Sequence, residues 1–216
     1  MKTIYCISGL GADGRAFSKL TINNAELIVL PWLLPEKNET IEAYALRMSR
    51  GIKHANPILL GLSFGGMMAI EISKQLPVSM VILVSSIKSK DELPGWMKAV
   101  GKLGLHKLVP LKSTWITEPI TNRTIGVTNE AEKLMVREYR KNAPLAYTNW
   151  AVDQVLRWRN TDTPQKVFHI HGDNDKIFSI KNINPTYIIS GAGHLMIMNR
   201  SEEISVLINQ ILDHNS

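Results

Sequence analysis

The sequence predicts an α/β protein: a mostly parallel sheet with helices on both faces and one helical insertion. Short apolar runs bounded by turn residues alternate with segments of helical period, the pattern of βαβ units whose strands are covered on both sides. The alternation fails only between about Ile87 and Pro164, where no convincing strand can be read. At 216 residues the chain has room for one substantial core and too little for two full-sized domains.

Taken in order, strands are expected over Lys2–Ser8, Glu26–Leu30, Pro57–Leu62, Met80–Ser85, Lys166–His171 and Thr186–Ser190. Helices are expected over Gly14–Leu20, Ile41–Ile52, Phe64–Gln75 and Ser201–Asp213. The last opens on Ser201-Glu202-Glu203, a hydroxyl cap with acids beside the positive end of the helix dipole. Inside the insertion the helical stretches are Trp96–Leu108, Glu130–Asn142 and Pro144–Arg159. The expected division is a core of 1–86 and 165–216 with a helical cap over 87–164. Four of the five tryptophans, Trp96, Trp115, Trp150 and Trp158, fall in that insertion. Trp150 and Trp158 are spaced to share one helical face, so anchoring to the core accounts for some of them; a lid with an apolar inner wall accounts for the others.

The totals exclude several classes. Hydrophobic residues at 44% and charged residues at 20% argue against disorder. No apolar run approaches the roughly 18 residues a spanning helix needs. The single cysteine, Cys6, lies in the apolar run TIYCIS, which precludes an internal disulfide and points to a core position in a reducing compartment, the cytoplasm. The net charge of +6 is uneven: from Lys88 to Pro164 stand 13 Lys and Arg against 8 Asp and Glu, and no nucleic-acid motif accompanies them. A basic lid of this kind would suit anionic substrates or an acidic carrier.

Chemistry is concentrated in PILLGLSFGG, residues 57–66. Gly61-Leu62-Ser63-Phe64-Gly65 fits G-x-S-x-G, in which a strand turns abruptly into a helix with the serine at the tip. Side chains at the flanking glycines would collide with neighbouring backbone. A serine hydroxyl is a poor nucleophile at neutral pH, so it needs a histidine to take its proton and an acid to orient that histidine. VFHIHGDNDKIF places Asp175 just after one strand, and YIISGAGHLMIM places His194 just after the next. In a parallel sheet such strand ends are where sites assemble. Asp173 is the rival acid, although an aspartate directly after a strand more often braces its turn.

With these segments in hand, the chain resembles the α/β-hydrolases of the compact, single-lid, carboxylesterase-like kind. The resemblance covers nearly the whole chain through SGLGAD (8–13), GLSFGG (61–66), HGDND (171–175) and GAGH (191–194). It implies a Ser63, His194, Asp175 triad, and the family's H-G-x-x-D spacing selects Asp175 over Asp173. It also implies oxyanion donors at the backbone N–H groups of Leu10 and Phe64. Many relatives begin the first turn with His-Gly where this chain has Ser8-Gly9, so the hydrogen bonding of that loop must differ. No cofactor is implied.

The expected reaction is hydrolysis of small or medium apolar carboxylic esters through an acyl-enzyme. Met67, Leu195, Trp96, Trp115 and Trp150 are candidate pocket residues. Thioesters, lactones and carbon–carbon bonds stay open as substrates, and so does a ligand sensor with little turnover on the same fold. Serine at position 63 disfavours dehalogenase and epoxide hydrolase chemistry, which uses an aspartate there. The His169-x-His171 pair with Asp173 has a strand-period metal pattern, but barrel metallohydrolases need roughly 250 residues and eight βα units, so packing or hydrogen bonding is expected and no metal. His54, His106 and His214 lie in polar surroundings and are expected at the surface.

Overall fold

Six strands form one parallel sheet in the computed structural model, which describes residues 1–107 and 118–215. They are β1 (Lys2–Ile7), β2 (Ala25–Val29), β3 (Ile58–Leu62), β4 (Met80–Val84), β5 (Val167–Gly172) and β6 (Tyr187–Ile189). The sheet order is β2-β1-β3-β4-β5-β6, and every pairing is parallel. The chain steps from β1 outward to β2, then returns to the other side of β1 to begin β3. The β1/β3 boundary is therefore the switch point, where loops at the carboxyl ends of the strands open a crevice.

The apolar strands feed two separate cores because side chains alternate between the faces of a strand. Tyr5, Ile7, Leu59, Val81 and Leu83 enter one cluster. Ile4, Cys6, Ile58, Leu60, Ile82 and Val84 enter the other. Every residue of β3 and β4 is buried, as central strands require. Burial in this core pushes the Cys6 thiol up to about 12, so it is an inert packing residue.

Helices α1 (Ile41–Ser49) and α2 (Phe64–Ser73) belong to the first half, with α7 (Met196–Asn199) and α8 (Ser201–His214) at the end of the chain. Between β4 and β5 lie α3 (Gly95–Leu103), α4 (Glu118–Ile125), α5 (Glu130–Asn142) and α6 (Leu145–Leu156). Two capped starts follow sequence chemistry: the Thr40 hydroxyl accepts from Ala43 N–H, and the Asn129 side chain accepts from Glu132 N–H.

Several expectations need correction. Gly14–Leu20 forms only a single 3-10 turn, Gly14–Phe17, because Asp13 caps Arg15 N–H and Ser18 N–H closes at once on Arg15 O. Ser201 is not the cap of α8. Arg200 precedes the helix without a side-chain cap, and Ser201 is its first helical residue, although Glu202 and Glu203 do occupy the first turn. α6 stops at Leu156, so Trp158 does not share a helical face with Trp150. It lies beyond the helix, buried, and its indole donates to Glu71 Oε1 at 2.7 Å. His106 is buried rather than at the surface, because Asp153 on α6 provides a partner for its Nε2 at 2.9 Å. His54 and His214 are exposed. Among the described residues no helix is long and apolar enough to cross a membrane.

Candidate active site

Ser63 stands where β3 ends and α2 begins, with φ 52° and ψ −120°. A non-glycine residue held there costs about 1–3 kcal/mol, tolerable only when its surroundings fix it. The surroundings do so. Ser63 N–H donates to Val84 O at 3.0 Å, and its own carbonyl accepts from the Ser86 hydroxyl at 2.6 Å. The flanking glycines are sterically required: a Cβ on Gly61 would strike the Gly65–Gly66 backbone, and one on Gly65 would strike the Ile7 and Ser8 carbonyl oxygens. The sharp turn thus packs α2 directly against the end of β1 and leaves the hydroxyl at the tip.

Asp175 follows β5 and His194 follows β6. The three side chains meet: His194 Nε2 lies 2.9 Å from Ser63 Oγ, and His194 Nδ1 lies 2.7 Å from Asp175 Oδ2. An ionised carboxylate can only accept, so the proton between His194 and Asp175 belongs to Nδ1, which leaves the Nε2 lone pair facing the serine hydroxyl. Asp175 Oδ1 is held by the Ile177 and Phe178 N–H groups at 2.8 and 2.9 Å. Burial alone would raise the Asp175 carboxyl; the neighbouring His194, the Phe178 N–H and His171 outweigh it and hold it below the ordinary carboxylate value.

Phe178 acts three ways in this corner. Its N–H braces Asp175, its carbonyl lies 2.8 Å from His171 Nε2, and its ring meets His194 edge-on at 5.6 Å between centroids. Sequence reasoning missed it, since an aromatic three residues after an aspartate carries no signal of its own. It also missed Ser86 and Trp32. Asp173 turns away to brace the next loop, accepting from Gly191 N–H at 2.7 Å and lying 3.3 Å from the Ser190 hydroxyl. His169 and His171 are buried and share a hydrogen bond at 3.2 Å. Among the described residues no cluster of three or more His, Cys, Asp and Glu side chains is placed to hold a metal.

The turn after β1 lies beside the elbow: a Cβ on Gly9 would stand 3.6 Å from Ser63 Cβ. Ser8 takes over the loop bonding that the departure from His-Gly left open. Its hydroxyl donates to Ala12 O at 2.7 Å and accepts from the Trp32 indole at 3.0 Å. Trp32 in turn stacks on Phe64, with centroids 5.2 Å apart and planes 12° from parallel. Among the described residues the Leu10 and Phe64 N–H groups have no acceptor, as expected for a free turn and the first residue of a helix.

The expected pocket residues do not gather. Met67 is fully buried in the core and presents no surface to a ligand, because α2 packs against the central strands β1, β3 and β4 and against α1. Trp96 is 61% exposed on α3. Trp150 packs on Tyr44 at 4.3 Å and donates to Glu39 O at 2.8 Å, although its ring also meets Phe64 edge-on. Leu195 is partly buried, and its N–H donates to Ile125 O at the end of α4. Trp115 lies outside the described residues.

The architecture matches solved structures across nearly the whole chain. A thermophilic esterase from Thermogutta terrifontis superposes with a TM-score of 0.72 at 16% identity, covering 100% of this chain and 90% of that one. An esterase from Exiguobacterium antarcticum gives 0.72 at 14%, covering 98% and 92%. A bromoperoxidase from Bacillus anthracis gives 0.71 at 16%, covering 98% and 92%. The chain therefore has the α/β-hydrolase fold. No protein-family model and no curated protein matches its sequence.

Proposed function

We propose that the chain is a serine hydrolase acting on small or medium apolar carboxylic esters. The observation that carries this is the continuous hydrogen-bonded line from Ser63 through His194 to Asp175, drawn from three loops at one edge of the sheet. Esterases among the fold's solved structures support the same reading, although the fold alone does not define a reaction.

In this mechanism Ser63 Oγ attacks the ester carbonyl as its proton passes to His194 Nε2, and the imidazolium is steadied by Asp175 across Nδ1. The negative charge on the former carbonyl oxygen is met by the Leu10 and Phe64 N–H groups, which have no competing acceptor to lose. Collapse of the tetrahedral intermediate breaks the carbon–oxygen bond, and the alcohol leaves with the proton returned from Nε2. Water then attacks the acyl-enzyme by the same route, releasing the acid and restoring Ser63.

Residues 87–164 serve as the cap over this site in our reading. Two contacts support it: Ile125 at the end of α4 holds the His194 loop through Leu195 N–H, and Gly11 in the first turn would meet Ala143 between α5 and α6 if it carried a Cβ. An acidic carrier would meet its cations at the groove lined by Lys90, Lys98, Lys102, Arg157 and Arg159.

Hydrolysis of p-nitrophenyl acetate and butyrate tests the assignment. Repeated turnover is expected from the native chain, and Ser63→Ala should lower kcat on the order of 10⁴-fold or more. An alanine variant with undiminished turnover refutes the assignment, and ligand binding without steady-state hydrolysis would favour a sensor instead.

A further inference from the structure

Two amides that share one oxyanion must stand a fixed distance apart, yet Leu10 belongs to the turn after β1 and Phe64 to the start of α2. The turn is closed by two bonds: Ala12 N–H donates to Gly9 O at 3.0 Å, and the Ser8 hydroxyl donates to Ala12 O at 2.7 Å. Phe64 is held by its ring. That ring is 1% exposed, stacked on Trp32 and met edge-on by Trp150 at 6.0 Å between centroids. Because an amide moves with its own side chain, clamping the ring limits where the Phe64 N–H can go.

One hydroxyl joins the two. Ser8 is buried, and while it donates to the turn it accepts from the Trp32 indole at 3.0 Å. A carbonyl can only accept and an indole N–H can only donate, so a group that does both is needed to place one bond after the other. Trp32 lies between β2 and α1, outside both the turn and α2, and its ring carries the connection onward to Phe64. Tyr147 on α6 meets the same indole at 5.3 Å between centroids, which steadies it from the far side of the chain.

We propose that Ser8 and Trp32 are positioning residues that set the separation of the Leu10 and Phe64 N–H groups. The line runs from Ala12 O through the Ser8 hydroxyl and the Trp32 indole to the Phe64 ring. Both residues act through others. The proposal rests on the hydrolase reading, and within it the oxyanion site, rather than the line from Ser63 to Asp175, is the part that depends on Trp32.

The test compares p-nitrophenyl butyrate turnover, counted per site titrated with a fluorophosphonate, with inhibition by hexyl trifluoromethyl ketone and hexyl methyl ketone. Ser63 Oγ adds to the fluorinated carbonyl carbon, its proton passes to His194 Nε2, and the ketone oxygen becomes the anion; nothing leaves. The methyl ketone has the same chain and competes without forming that anion. Trp32→Phe, which keeps a ring on Phe64 but lacks the indole N–H, should lower kcat about 3- to 10-fold, leave KM within about twofold, and weaken only the trifluoromethyl ketone. Ser8→Ala, which also frees Ala12 O, should cost about 10- to 100-fold in the same two readings. Adding Trp32→Phe to Ser8→Ala should cost nothing further, because one bond cannot be lost twice. A kcat within about twofold of the parent in both variants, equal losses on the two ketones, or losses that multiply in the double variant would each overturn the proposal. Counting per titrated site removes any unfolded fraction, and Trp32→Phe decides the matter alone if Ser8→Ala does not fold. A parent without ester turnover takes away the hydrolase reading and this proposal together, whereas an active parent matched by its variants takes away this proposal only.

Discussion

In the proposed mechanism His194 accepts a proton on one nitrogen while holding one on the other, and Asp175 is the group that enforces this division. An amide at position 175 can present its NH₂ to Nδ1 and so favour the opposite tautomer. Asp175→Asn is therefore expected to lower kcat on p-nitrophenyl butyrate by about 10³- to 10⁴-fold with little change in KM. Steady-state kinetics would check this, and a loss under tenfold would speak against the orienting role. At this scale the serine, the acid and the histidine were legible because each follows an apolar run at an abrupt turn. The choice of Asp175 over Asp173 came from family spacing, and only the coordinates place Asp173 on Gly191 N–H. Phe178, Ser86 and Trp32 were illegible: each works through a contact with a residue distant in the chain or through its backbone, and single-sequence spacing carries neither.

The β3–α2 junction is the element on which the site turns. A Cβ at Gly65 would have to displace two carbonyl oxygens at the end of β1, and backbone there cannot yield without moving the first turn as well. Gly65→Ala should thus destabilise the fold by roughly 1–3 kcal/mol, read as a lower urea midpoint, and should reduce turnover beyond what the unfolded fraction explains. Unchanged stability and activity would mean that the junction is looser than its geometry implies. The strands were readable to within a residue or two, most plainly β3 and β4, where burial on both faces demands continuous apolar runs. α4 was not, because Glu118–Ile125 reads EPITNRTI, with two threonines and an asparagine of poor helix propensity. α7, at four residues, is too short for a period to show.

For the molecule as a whole, the pair of histidines inside β5 links stability to pH. Desolvation pushes His169 well below the ordinary histidine value of about 6.5, with His171 and Lys88 adding to the effect; His171 is also lowered, chiefly by burial, against the opposing pull of Asp175. Their folded values lie below the unfolded one, so the unfolded chain binds more protons beneath pH 6.5 and stability falls as pH drops through that point. Each histidine that stays neutral contributes a slope approaching about 1.4 kcal/mol per pH unit. Asp175 adds a second loss only near the ordinary carboxylate range, because its folded value is the depressed one. Urea unfolding at pH 8, 7, 6 and 5 should show a plateau and then a decline; a flat profile to pH 5 would contradict the burial of neutral imidazoles. The most direct test of the central claim, that three loops at one sheet edge activate a single hydroxyl, is labelling of the native chain with a fluorophosphonate probe followed by peptide mapping. The account requires one adduct, on Ser63, formed far more slowly in Asp175→Asn. An unlabelled chain, or an adduct on another residue, would contradict it.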